Sequence, residues 1–173
     1  MSAASDVLLV IDAQNVFADP ESDWGSPMFA DARPRIASRV AAYDDRVVFT
    51  RFIAPETPEG AWVKYYEDWP FALTSPDARQ YRMIDEYADR PTVDETTFGK
   101  WGPQLERALG DARSVELVGV ATDCCVISTA LAMSDVGYAL TVRAEACAGS
   151  TPDNHTKALD VMALYSPLIT VER

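Results

Sequence analysis

The stretch Ser114-Val-Glu-Leu-Val-Gly-Val-Ala-Thr-Asp-Cys-Cys-Val-Ile-Ser-Thr-Ala130 limits the possible folds of this chain more than any other. Val115 to Val120 is short, mostly apolar and rich in β-branched residues, the pattern of a strand buried on both faces of a parallel sheet. Gly119 and the polar pair Thr122-Asp123 interrupt the apolar run, after which Cys125, Val126, Thr129, Ala130 and Met133 recur at helical spacing. Such a strand–turn–helix unit puts the first helical residues at the carboxyl edge of a sheet, where free backbone N–H groups and the positive end of the helix dipole converge. A thiol in that place is expected to have its thiolate favoured, and the thiolate is the nucleophile. Cys125 is therefore the leading candidate for a catalytic residue. Packing alone is the competing reading of Cys124-Cys125, because a free cysteine also serves as a small buried hydrophobe.

The same alternation runs along the chain. Val7-Leu-Leu-Val-Ile11 is a first buried strand, and Ile36, Val40 and Tyr43 mark a helix over Met28–Tyr43 that includes Pro34. Arg46–Phe52 is a second strand, Ala61–Glu67 a short helix, Pro91–Gly102 a third strand end with its loop, and Pro103–Ala112 a helix. The helix after Cys125 runs to Asp135, Gly137 punctuates it, and Tyr138–Ala144 is the fifth strand. Thr151-Pro152 caps and starts the last helix, and Ser166–Val171 closes the sheet as an edge strand. Strands alternating with helices predict an α/β fold: a three-layer, doubly wound, mostly parallel six-stranded sheet with helices on both faces. Its first and fourth strands are expected side by side at the topological switch, and residues 1–173 are expected to form one domain.

Composition narrows the partners. A formal net charge of −12 disfavours nucleic acid and anionic membrane, both of which need a basic face. Three cysteines, two of them adjacent, make no disulfide framework, which points to a reducing cytoplasm. Met1-Ser-Ala-Ala-Ser-Asp6 lacks the basic and apolar regions of a signal peptide, and no run is long and apolar enough to span a bilayer. The expected partners are a small-molecule substrate and further copies of the chain.

Three features beyond Cys125 stand out. Asp12 follows the first strand directly, in Asp12-Ala-Gln-Asn-Val-Phe17. A carboxylate there is costly to bury unless it is paired or at work, and a solvated strand end is the alternative. Trp62, Tyr65, Tyr66, Trp69 and Phe71 form an aromatic cluster, read as satellite core or oligomer interface ahead of a substrate platform. His155, the only histidine, lies far from the other motifs and is read as a hydrogen-bonding structural residue.

Gly-Val-Ala-Thr-Asp-Cys-Cys-Val, followed by Ser-Thr-Ala-Leu-Ala, resembles the nucleophile motif of the isochorismatase-like cysteine hydrolases, and Asp12-x-Gln-x-x-Phe17 resembles their second signature. The likeness covers nearly the whole chain. It implies Cys125 as nucleophile and Cys124 at a variable position. It also implies a cis peptide at Val120-Ala121, and an oxyanion hole made by the Ala121 and Cys125 amides. Asp12 would take the thiol proton and return it to the leaving group. Phe17, Phe52 and Trp101 would line the substrate pocket, with Phe17 and Phe52 also readable as packing. Glu145-Ala-Cys-Ala-Gly-Ser150 resembles a segment that supports the pocket.

In that family a lysine holds the thiolate and orients the aspartate. Its register here falls on Glu95, with Lys100 five residues later, up to ~17 Å away if the segment is extended. Lys100 fills the role only if the loop folds back, and a surface ion pair is its other reading; the register favours Glu95. Metal-dependent relatives carry Asp and His ligands just after the second strand. Phe52 and Ala54 stand at those places, so no metal and no other cofactor is expected. The resemblance thus implies a metal-independent cysteine hydrolase acting on an amide or related C–N bond of a small molecule. The alternatives are vinyl-ether hydrolysis of the isochorismatase type with Asp12 as acid, and a non-catalytic binding protein in which Glu95 has abolished the triad.

Overall fold

In the computed structural model, which describes residues 5–173, six parallel strands form one sheet in the order β3-β2-β1-β4-β5-β6. The strands are β1 (Val7–Ile11), β2 (Val47–Phe52), β3 (Thr92–Glu95), β4 (Ser114–Val120), β5 (Ala139–Ala148) and β6 (Ile169–Glu172). The helices are α1 (Asn15–Ala18), α2 (Phe29–Tyr43), α3 (Ala61–Asp68), α4 (Pro103–Leu109), α5 (Ile127–Asp135) and α6 (Pro152–Ala163). The order reverses between β1 and β4, the expected switch, so both strands open at their carboxyl ends into one crevice. The reading of residues 1–4 as lacking a leader lies outside the described residues, and among those described no helix is long and apolar enough to cross a membrane.

Because successive side chains of a strand point to opposite faces, β1 feeds two cores. Leu8 and Val10 pack with Phe29 and Ile36 of α2, while Leu9 and Ile11 pack with Leu105, Met133 and Leu159 of α4, α5 and α6. Helices on both faces are what makes the strands apolar on both sides. A buried carboxylate lies within the sheet: Glu116 of β4, 1% exposed, takes Arg39 of α2 at 2.6 and 3.0 Å and Arg143 of β5 at 2.9 Å. Two guanidinium groups compensate the buried carboxylate and pin α2 to the sheet.

The strand β5 is longer than its sequence suggested. A register shift against β4 between Leu117 and Gly119 lets Cys147 and Ala148 pair with Gly119 and Val120, so the Glu145–Ala148 segment is strand. Gly119 has φ +123°, and a Cβ there would lie 2.1 Å from the Ile11 carbonyl oxygen. Only glycine lets β1 and β4 approach this closely at the mouth of the crevice.

Candidate active site

Three loops meet at the carboxyl end of the sheet. Asp12, the residue after β1, has φ +49° and no exposed surface. An aspartate tolerates that region better than most residues, and such strain persists only where the surroundings hold it. Here Thr50 of β2 does so: its hydroxyl donates to Asp12 Oδ1 at 2.7 Å and accepts from the Asp12 N–H at 3.2 Å. Asp12 Oδ2 lies 3.0 Å from Lys100 Nζ. That ammonium balances the charge without a well-directed hydrogen bond to Oδ2, which leaves a lone pair open to a proton.

Lys100, not Glu95, is thus the cation beside Asp12, and the register that favoured Glu95 is corrected. The loop after β3 folds back, held by the Lys100 N–H on Thr129 Oγ1 at 2.9 Å, with that hydroxyl donating to the Cys125 carbonyl at 2.7 Å. Lys100 Nζ donates to the Thr97 carbonyl at 2.7 Å and sits 4.9 Å from the centre of the Phe52 ring. A fully buried ammonium is sustained by this carbonyl, one carboxylate and one π face. Glu95 stays half-buried at the end of β3, its carbonyl accepting from Ile53 N at 3.1 Å, and its side chain turns toward Gly102.

Between β4 and α5 the chain makes a single π-helical turn, Thr122–Val126, after a cis Val120-Ala121 peptide. The Ala121 carbonyl accepts from the Cys124 and Val126 N–H groups at 3.0 and 3.1 Å. Cys125 is 3% exposed with the Asp12 carboxylate near its thiol, whereas Cys124 is half-buried. Burial pushes the Cys125 thiol well above the usual cysteine range; the Asp12 carboxylate adds to this and Lys100 opposes it. The expectation of a favoured thiolate is therefore corrected: desolvation and the adjacent carboxylate outweigh the helix start, and the thiol rests protonated. Burial also raises the Cys124 thiol, to about 11, with the Asp123 carboxylate adding.

Above Cys125 and Ala121 opens a cavity of about 370 Å³. Phe17 and Phe52 line it as expected, but Trp101 does not: it packs edge-on against Tyr138, 5.2 Å away, in the core on the other face. Phe98, three residues earlier on the folded-back loop, supplies the wall instead. Tyr65 and Trp69 make the aromatic cluster partly a cavity wall, against the preferred reading of satellite core. Trp24 ties the wall together, stacked on Phe17 at 6.3 Å and meeting Phe52 at 5.7 Å and 75°. Sequence reasoning missed it inside the Asp19–Pro27 loop; the signal was a large apolar ring in an otherwise polar, turn-forming segment.

Asp23 and Asp123 stand at the cavity edge. Asp123 accepts from the Ser150 N–H at 2.7 Å and hydroxyl at 2.6 Å, which ties the π turn to the end of β5. His155 lies outside the cavity with Nδ1 2.8 Å from Thr122 Oγ1, supporting the same turn from α6. Among the described residues no three His, Cys, Asp or Glu side chains converge as metal ligands. The apolar Phe52 and Ala54 and the distant His155 do not fit a zinc centre.

A family model described as the isochorismatase domain matches residues 6–173. A cysteine hydrolase from Pseudomonas syringae pv. phaseolicola 1448A superposes with TM-score 0.79 at 17% identity, over 99% of this chain and 93% of that one. A pyrazinamidase of Pyrococcus horikoshii, solved in complex with zinc, superposes with TM-score 0.77 at 19% identity, over 98% and 99% of the two chains. Isochorismatase domain-containing protein 2 of Xenopus laevis is 33% identical over 79 residues, 44% of this chain and 38% of that protein. The chain spans less than half the length of the curated relatives it matches.

Proposed function

The chain belongs to the isochorismatase family, and from that premise we propose that it is a metal-independent cysteine hydrolase cleaving an amide or related C–N bond of a small molecule. The observation that carries this reading is the buried trio: a Cys125 thiol beside the Asp12 carboxylate, whose charge Lys100 balances from 3.0 Å. As Sγ attacks the carbonyl carbon, its proton passes to Asp12, so no free thiolate has to exist in the resting site. The Ala121 and Cys125 N–H groups hold the developing oxyanion. Asp12 then gives the proton to the departing amine, leaving a thioester on Cys125. Water, deprotonated by Asp12, attacks the thioester and releases the carboxylic acid; one amide and one water become one acid and one amine. Lys100, 3.0 Å from Asp12, keeps that carboxylate oriented between the two half-reactions.

Two alternatives lose ground on particular observations. Vinyl-ether hydrolysis of an anionic substrate lacks a cation in the cavity wall, where the charged groups are Asp23 and Asp123. A non-catalytic reading depended on Glu95 standing beside Asp12, and Lys100 stands there. The test is ammonia release from a panel of small amides, with intact-mass analysis of the quenched protein. The expected result is a thioester adduct on Cys125, lost in Cys125→Ala. Ammonia release that persists in Cys125→Ala overturns the proposal.

A further inference from the structure

Resting on the amidase reading, we propose that the cavity selects substrates with a cationic head, a protonated amine or quaternary ammonium beside the scissile amide, over neutral and anionic ones.

The wall has π faces and carboxylates and no basic side chain. Trp24 is met by Phe52 at 75°, Trp69 at 65° and Tyr65 at 41°, with ring centres 5.7 to 6.2 Å apart. Rings at these distances and angles pack against Trp24, and with Phe17 and Phe98 they line the cavity. The parallel pair, Phe17 and Trp24, has centroids only 6.3 Å apart, too close to admit a flat ring between them. A cavity lined by aromatic rings suits an onium group, because a ring face presents the negative part of its quadrupole.

The charges agree with the rings. Asp23 and Asp123 edge the same cavity, and neither takes part in an ion pair among the described residues. Ser150 fixes the Asp123 carboxylate in place through two hydrogen bonds, at 2.7 and 2.6 Å. The nearby cation, Lys100, is fully buried beside the Phe52 ring and committed to Asp12 and Thr97, so it offers nothing to a substrate anion. The chain's net charge of −12 adds a long-range field of the same sign.

The test compares three amides of similar size. Betaine amide has a trimethylammonium head, 3,3-dimethylbutanamide is its carbon isostere with a neutral tert-butyl head, and succinamate carries a carboxylate. Binding to Cys125→Ala is read by intrinsic tryptophan fluorescence and calorimetry, separately from ammonia release by the wild type. Betaine amide is expected to bind about 10-fold or more tighter than the isostere, with succinamate weakest. The preference should shrink in Asp23→Asn, whose exposed side chain puts the fold at no risk, and at high salt.

Equal binding of the two isosteres, tighter binding of succinamate, or no saturable binding of betaine amide overturns the proposal. A cation preference in binding with no ammonia released from any of the three upholds the selectivity and counts against the hydrolase. Turnover of 3,3-dimethylbutanamide without a cation preference does the reverse.

Discussion

Gln14 clasps both backbone groups of Phe52: its Oε1 accepts from the Phe52 N–H and its Nε2 donates to the Phe52 carbonyl, each at 2.8 Å. The same Nε2 donates to the Tyr81 carbonyl, also at 2.8 Å, so one buried amide joins the exit of β1, the end of β2 and the loop that follows. Phe52 in turn lies under Lys100 and at the cavity wall. The glutamine of the Asp12-x-Gln14 pattern thus positions the residue against which Lys100 rests.

Gln14→Ala leaves one N–H and two carbonyls buried without partners. At about 1–3 kcal/mol for each orphaned group, partly relieved by water entering the space, the expected loss is roughly 2–5 kcal/mol in urea unfolding at 25 °C. A loss below about 1 kcal/mol would show that the clasp is dispensable.

Lys100→Met removes the partner of a fully buried carboxylate. Activity should vanish and stability fall by roughly 3–5 kcal/mol. Glu95→Ala, half-buried at the end of β3, should keep most activity. A dead Glu95→Ala beside an active Lys100→Met would reverse the assignment.

Cys125→Ala should abolish turnover, while Cys124→Ala should largely spare it. Adjacent side chains leave the turn about one-third of a revolution apart, and the Asp12 carboxylate acts on the Cys125 thiol while Asp123 acts on that of Cys124. Ammonia release by each variant checks this; a dead Cys124→Ala shifts the nucleophile by one residue.

Alkylation of Cys125 should be slow at neutral pH and keep rising beyond pH 9, because burial, reinforced by Asp12, holds the thiol well above 9.0. Mass-resolved iodoacetamide labelling between pH 6 and 10 measures it. A fast, flat profile would mean that the thiolate already exists at rest.

Stability should fall in alkali through Cys147, whose thiol is pushed up to about 12, first by burial. A folded-state pKa above the unfolded value contributes stability that is complete below the unfolded pKa, about 8.5, and lost as pH rises toward the folded one. Cys147→Ala should therefore show a shallower decline above pH 9 than wild type in denaturant midpoints. Parallel curves would assign the decline to other groups.

The sequence alone carried the sheet, because strand and helix periodicities are local and alternate six times, and β1 and β4 were legible as neighbours at the switch. It also carried Asp12 and Cys125, each placed at a strand's carboxyl end by the residues beside it. Tertiary structure alone decided which residue stands beside Asp12. Counting along an extended strand put Glu95 there, but Lys100 arrives through a loop held by Thr129, 29 residues away. The cavity wall was hidden for the same reason: Trp24 and Phe98 lie on loops and Tyr65 on α3, with no periodic relation, and their rings converge only when the sheet brings those segments together. The protonation of Cys125 also had to await the fold. A helix start favours a thiolate, but desolvation and the nearby Asp12 carboxylate act on it more strongly, and both arise from contacts between distant segments.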